Sequence, residues 1–215
     1  MNNIELRPEK ILVDYLHPYF EHKGFVYIPS QNQFQKKTNF GFHNFVFSIT
    51  KEDQFYRVNF FIGLRIDLIE IPTYHLAGGL INFDRKSNTL LVPTKAIENN
   101  QSSKTGILEY KNLEQYCDYF IDFMDRIGFD FLYTNSKISN LHHLINVNKL
   151  VSEKYYNHSF QRCFKGLVAC SIVAFDELKN TYKSHLGYLD KRNCPEKYIA
   201  NFEKLYGVLS TINPN

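Results

Sequence analysis

Residues 54–66 read QFYRVNFFIGLRI and alternate cleanly. Tyr56, Val58, Phe60, Ile62, Leu64 and Ile66 fall on one face of an extended strand, and Arg57, Asn59, Phe61, Gly63 and Arg65 fall on the other. Successive strand side chains point to opposite faces, so a period of two predicts one face on a core and one toward water or a partner. That is the pattern of an antiparallel sheet covered on one side.

Upstream the same period holds. Short strands are predicted at Phe25 to Ile28 and Phe34 to Lys37, separated by the turn-prone PSQN. A longer one follows at Phe42 to Thr50, with Phe45, Phe47 and Ile49 on one face, and Lys51-Glu52-Asp53 joins it to the 54–66 strand as a hairpin. Before the strands, a helix is predicted from Pro8 to about Lys23 on the stripe Ile11, Leu12, Tyr15, Leu16, Tyr19 and Phe20. Pro18 should kink it or tighten its last turn, and Gly24 should cap it, with Phe25 folding back.

Downstream, Leu80 to Val92 reads as a further hairpin and IENNQSSKTG (97–106) as a loop. The second half then turns helical. Asn112 and Gln115 have capping-box spacing, and the helix they open buries Leu113, Tyr116, Cys117, Phe120, Met124 and Ile127 before Gly128 ends it. A short helix buries Ile138, Leu141, Leu144 and Val147. A longer one spans Phe160 to Tyr182, and a last one follows Pro195 on Tyr198, Phe202, Leu205, Leu209 and Ile212. The expected fold is one α+β domain over 1–215, an antiparallel sheet packed by an N-terminal helix and a C-terminal helical half. Its sheet-rich part is 1–98, its loop 97–106 and its helical part 112–212.

An apolar fraction of 44% with 16% aromatic residues is ample for a core. The net charge of +3, from 25 basic and 22 acidic residues, gives no global pull toward nucleic acid or anionic lipid. No signal core is legible in MNNIELRPEK, and the most apolar run, Gly166 to Phe175, is half a membrane span. Cys117, Cys163, Cys170 and Cys194 lack CxxC pairing and read as buried thiols in a reducing compartment, so a cytoplasmic protein is expected.

Chemistry is hard to find in the pattern. His17 and Glu21 are spaced as an exposed i,i+4 ion pair and not as HExxH, and His142-His143 diverge by about 100° on a helix. Gly78-Gly79 and Gly41 lack a phosphate-loop context. No cofactor, metal or catalytic residue is expected; the chain reads first as a non-enzymatic binding protein, and an enzyme with residues assembled from distant segments is the third reading. Thr38 to Phe45 (TNFGFHNF) matches four positions of an RNA-recognition motif at Phe40, Gly41, Phe42 and Phe45, but a helix precedes it where that fold begins with a strand.

Two surfaces stand out. Glu114, Asp118, Asp122 and Asp125 share an arc of about 80° opposite the buried face of their helix, as an acidic stripe for a basic protein partner would. Arg57, Phe61 and Arg65 on the outer sheet face form the alternative, a nucleic-acid or small-ligand surface.

Leu16 and Pro18 in the first helix, Gly24-Phe25, Phe34 and Lys36, and the Phe-rich hairpin from Phe42 to Ile66 resemble an uncharacterised bacterial family, the domain of unknown function 4304. The helix leading to Phe129-Asp130-Phe131 is similar too, and the resemblance covers about Glu9 to Val147. It implies an α+β fold and supplies no catalytic residues. By analogy with small bacterial domains of this kind, an immunity-type toxin inhibitor is the expected function.

Overall fold

Pro8 opens α1 (Pro8–His22), where its missing N–H costs nothing. The computed structural model describes residues 7–76, 86–98, 107–147 and 159–212. The helix runs unbroken through Pro18, burying Leu12, Leu16 and Phe20. Gly24 then adopts φ 82°, a conformation that favours glycine. The bonds Gly24 N–H to Glu21 O and Phe25 N–H to Phe20 O, both 2.9 Å, close the helix end. Phe25 packs edge-on to Phe20 at 5.4 Å, as the sequence predicts.

The strands follow in β1 (Val26–Ile28), β2 (Gln33–Thr38), β3 (Gly41–Glu52), β4 (Phe55–Ile66) and β5 (Leu90–Pro93). They form an antiparallel sheet in the order β1-β2-β3-β4-β5, and the two-residue β6 (Ile107–Leu108) pairs β4. Phe34 lies opposite Phe45 across β2–β3. Helix α2 (Asp67–Leu76) follows β4, where the sequence reading placed no element, and α3 (Thr94–Ile97) follows β5. Of the predicted Leu80–Val92 hairpin, residues 80–85 lie outside the described residues and its second arm is β5, beside β4; of the 97–106 loop, residues 99–106 lie outside them.

Next come α4 (Leu113–Phe123), a π-helical turn (Met124–Gly128) and α5 (Phe129–Asn135) in one helical run. Gly128 does not end the helix, and Asn112 makes no side-chain cap. A Cβ at Gly128 would lie 2.6 Å from Met124 Sδ, so the glycine gives the Met124 side chain room as the helix continues. A second π turn (His143–Val147) after α6 (Ile138–His142) shifts the buried set to Leu141 and Ile145, leaving Val147 exposed.

The predicted 160–182 helix is two helices, α7 (Ser159–Val173) and α8 (Leu178–Lys191). They are separated by Ala174 at φ −149°, ψ 54° and a short 3₁₀ turn. Helix α9 (Glu196–Thr211) buries Phe202, Leu205 and Leu209 as expected, but Tyr198 in its first turn is only half-buried and Ile212, one residue past its end, is exposed.

The α+β class is thus observed, and the chain packs as two compact units. The first comprises Met1–Gly63 and Val92–Tyr133, the second Leu64–Leu91 and Thr134–Asn215. In the first, α1 and α4 bring Phe20 and Phe120 onto the sheet. Phe20 stacks on Phe34 (4.8 Å) and Phe45 (5.0 Å), and Phe120 on Phe45 (4.2 Å). Such ring pairs contribute about 0.5–1.5 kcal/mol each beyond area burial. Phe42 and Phe45 are therefore core residues and present no stacking platform for RNA bases. In the second unit, α2, α7, α8 and α9 surround a core that includes Ile69, Leu167, Leu189 and Phe202.

Candidate functional site

The acidic stripe lies along the α1–α4 seam and is largely satisfied within the first unit. Tyr15 Oη donates to Asp118 Oδ1 (2.6 Å), and Tyr19 Oη (2.9 Å) and Lys23 Nζ (3.1 Å) donate to Asp125 Oδ1. Asp122 accepts from Arg126 Nε at 3.2 Å. Burial pushes the Asp125 carboxyl upward, but the bonds from Lys23 and Tyr19 outweigh it and hold the group below its ordinary value. The bond to Asp118 pushes the Tyr15 phenol up to about 12. Glu114 starts the stripe in the first turn of α4.

The outer sheet face is altered at its end. Alternation holds in β4 only as far as Ile62, and Gly63 to Ile66 are buried on both faces. Arg57 is exposed and bidentate to Glu52 (2.6 and 3.0 Å), while Phe61 is half-buried. Arg65, expected to face outward, is only 6% exposed. It donates to Asp67 Oδ1 (2.6 Å) and to the Ser87 carbonyl (2.9 Å), beside a buried carboxylate, Glu70. Glu70 accepts from Ser87 Oγ at 2.5 Å, and Lys165 Nζ lies 3.0 Å from Glu70 Oε1. Lys165 also donates to the Asn88 carbonyl. Buried charge on this scale is tolerated only when paired and hydrogen-bonded, so this cluster ties α2 and the 87–89 segment to α7.

Nine consecutive residues of α7, Arg162 to Cys170, are buried. Such a helix should be apolar all round, which makes Arg162 and Lys165 the informative exceptions. Lys165 meets Glu70. Arg162 lies over the Tyr188 ring at 4.7 Å and lines a cleft of about 360 Å³ between α7 and α8. Lys183 and Lys191 line it from α8 with Ser184 and His185, and the 143–147 turn supplies Ile145 and Asn146. Arg162 is 5% exposed, whereas Lys183 and Lys191 are exposed. Among the described lining residues there is no carboxylate.

The rear of the cleft is held by one amide. Asn146 Nδ2 donates to the Gly166 carbonyl at 2.9 Å; a carbonyl can only accept, which fixes the amide's orientation. The other face, Oδ1, lies 2.8 Å from His185 Nε2, which must therefore carry a proton. The second Nδ2 hydrogen points to His142 Nδ1 at 2.8 Å, so that nitrogen is an acceptor and the His142 ring is neutral. Burial lowers the His142 pKa in the same sense, against the opposing pull of Glu177. Gly166 makes this approach possible, because a Cβ there would lie 2.8 Å from Ile145 Cγ2 and 2.9 Å from His185 Nε2.

The cleft can hold an anion by fixed charge and orient it by hydrogen bonds. Among the described residues, no group of three or more His, Cys, Asp or Glu could hold a metal ion, and no helix is long and apolar enough to cross a membrane. All four cysteines are buried. His17 Nδ1 lies 3.7 Å from Glu21 Oε2 on the exposed side of α1, the i,i+4 contact that the spacing predicts. No family model matches the chain, and no curated protein or solved structure matches it either.

The sequence reading missed this cleft. Its available signal was two cations, Arg162 and Lys165, in a helix otherwise apolar enough to be buried.

Proposed function

We propose that this protein binds a small anionic ligand in the α7–α8 cleft. The observation that carries the reading is the cationic lining of the cleft, where the exposed ammonium groups of Lys183 and Lys191 on α8 join the guanidinium of Arg162 stacked on Tyr188. Guanidinium is the side chain suited to partly desolvated, bidentate recognition of phosphate or carboxylate. Its clamping over Tyr188 reduces the rotamer freedom lost on binding. The small-ligand expectation from the sequence therefore moves from the outer sheet face to this cleft.

Thermal unfolding in sodium phosphate against sodium chloride at equal ionic strength tests it. A ligand at a hundred times its Kd stabilises by about 2.7 kcal/mol, a clear rise in Tm. The rise is expected to disappear in a Lys183→Gln, Lys191→Gln protein. Identical melting of the wild type in both salts refutes the reading.

A second reading, a protein-binding module of the immunity type, is favoured by α2. Leu68, Ile71 and Tyr74 are 64%, 49% and 40% exposed on one arc of that helix, a surface suited to a partner. Capture from host lysate that survives nuclease and is lost on Leu68→Asp with Ile71→Asp supports it. Loss on reversing Asp118 and Asp122 instead assigns the contact to the acidic stripe, and capture unaffected by either change refutes both surfaces.

A further inference from the structure

We propose that Asn146 is a pH-operated latch on the cleft: protonation of His142 in acid breaks the amide's hold on Gly166 and frees the 143–147 turn from α7. Three hydrogen bonds converge on this one side chain. Nδ2 donates to the Gly166 carbonyl (2.9 Å) and to His142 Nδ1 (2.8 Å), and Oδ1 accepts from His185 Nε2 (2.8 Å). Both hydrogens and the oxygen of the amide are thereby committed, tying the turn to α6, α7 and α8 at one point.

The latch holds only while His142 is neutral. A protonated ring carries N–H at both nitrogens, so Nδ1–H would point at an Nδ2 that also donates. Turning the amide over does not help. Oδ1 would then meet the Gly166 carbonyl, oxygen against oxygen, and Nδ2 would meet the proton on His185 Nε2. His142 and His185 are only 8% and 6% exposed, so a donor stranded there is costly, and release of the turn lets water satisfy it.

The groups around the ring set the direction of the switch. The neutral ring carries its proton on Nε2, 4.0 Å from Glu177 Oε2 in the turn after α7. Burial lowers the His142 pKa from 6.5, Glu177 pulls it back up, and His143 on the same helical run lowers it further. On α7, Cys170 feels the same Glu177 carboxylate, and Lys165 is turned to Glu70. Arg162, Lys183 and Lys191 line the cleft beside Asn146 and, as cations, oppose a further positive charge. The closed latch thus excludes a proton that an open, solvated ring accepts below about pH 6.5, so opening grows as pH falls.

The element that moves is the π turn His143–Val147, a rare geometry found frequently at functional sites. It carries Ile145 and Asn146 into the wall of the cleft. Acid therefore loosens the grip on whatever the cleft holds. The latch is read in the ligand-free chain, so its failure is distinct from failure of the anion-binding reading.

Long-range proton–nitrogen correlation spectra of the full chain test the ring, and hydrogen exchange tests the turn. At neutral pH His142 is expected as the Nε2–H tautomer, titrating below 6.5. Protection factors of the 143–147 amides, with intrinsic exchange divided out, should fall by up to about tenfold for each pH unit below about 6.5, the limit set by one proton. In His142→Gln, whose amide oxygen accepts at every pH, protection should stay level from about pH 7 to about pH 5.5. In the wild type alone, an Nδ1–H tautomer, a ring titrating at or above 6.5, or level protection across that range overturns the latch. Equal loss of protection in the wild type and His142→Gln overturns it too.

Discussion

Lys165→Met tests the buried charge cluster directly. Methionine keeps the length and most of the volume of the lysine stem, so the substitution removes the ammonium while opening little space. Glu70 then loses the cation 3.0 Å from its Oε1 but keeps the Ser87 hydroxyl at 2.5 Å and Arg65 Nη1 at 4.0 Å. Removing one partner of a buried pair costs about 3–5 kcal/mol, and the surviving Ser87 and Arg65 interactions put the expected loss near about 3 kcal/mol. Glu70→Gln, which can still accept from Ser87, should cost about 2–3 kcal/mol by leaving Lys165 without its carboxylate. The double variant buries neither charge, and its loss should fall short of the sum of the singles by about 2 kcal/mol. Native-state hydrogen exchange of the α7 amides reports stability where the pair sits, even if the two units unfold separately. Urea unfolding followed by far-UV circular dichroism complements it, since the chain has no Trp. A Lys165→Met loss below about 1 kcal/mol, or singles that simply add, would refute the reasoning.

Gly166→Ala should destabilise by about 1–3 kcal/mol and abolish the phosphate-dependent rise in Tm, because its methyl would press on Ile145 and His185; calorimetry with and without phosphate checks both. Burial first, and Lys36 second, lower the His43 pKa from 6.5 to about 4. The unfolded chain therefore binds a proton that the folded one does not, and stability falls as pH drops from about 6.5 toward 4; His43→Asn should flatten that slope in urea titrations at pH 7 and 5. Burial pushes the Cys117 and Cys163 thiols up to about 12, so neither should react with iodoacetamide at pH 8 until denaturant is added, as intact-mass measurement would show.

The strands and α1 were legible because their determinants are local. A period of two sets a strand's faces, and Gly24 marks the end of α1. What covers a face is not local, and this is why Arg65 was assigned outward. Glu70 and Ser87 are near in sequence, but Lys165 is a hundred residues away and its helix supplies the missing charge. The two π turns were illegible for a different reason, since each changes the helical period midway and shifts the buried set by a residue. The cleft was lost with the break at Ala174. As one continuous helix, Arg162 and Tyr188 would lie roughly 39 Å apart. The turn after Val173 instead folds α8 back along α7 and brings guanidinium and ring to 4.7 Å. None of the cleft's residues is unusual alone, and only the pairing of two helices gives them a common purpose.

Because the second unit is assembled from two separate stretches, Leu64–Leu91 and Thr134–Asn215, its order of synthesis differs from its order of contact. Glu70 leaves the ribosome 95 residues before Lys165, a delay of about 5–20 s at ordinary elongation rates. For that interval its carboxylate must stay in water, so α2 cannot take its buried place early without a stranded charge. The same acid that anchors the finished unit thereby delays its closure until α7 has been made.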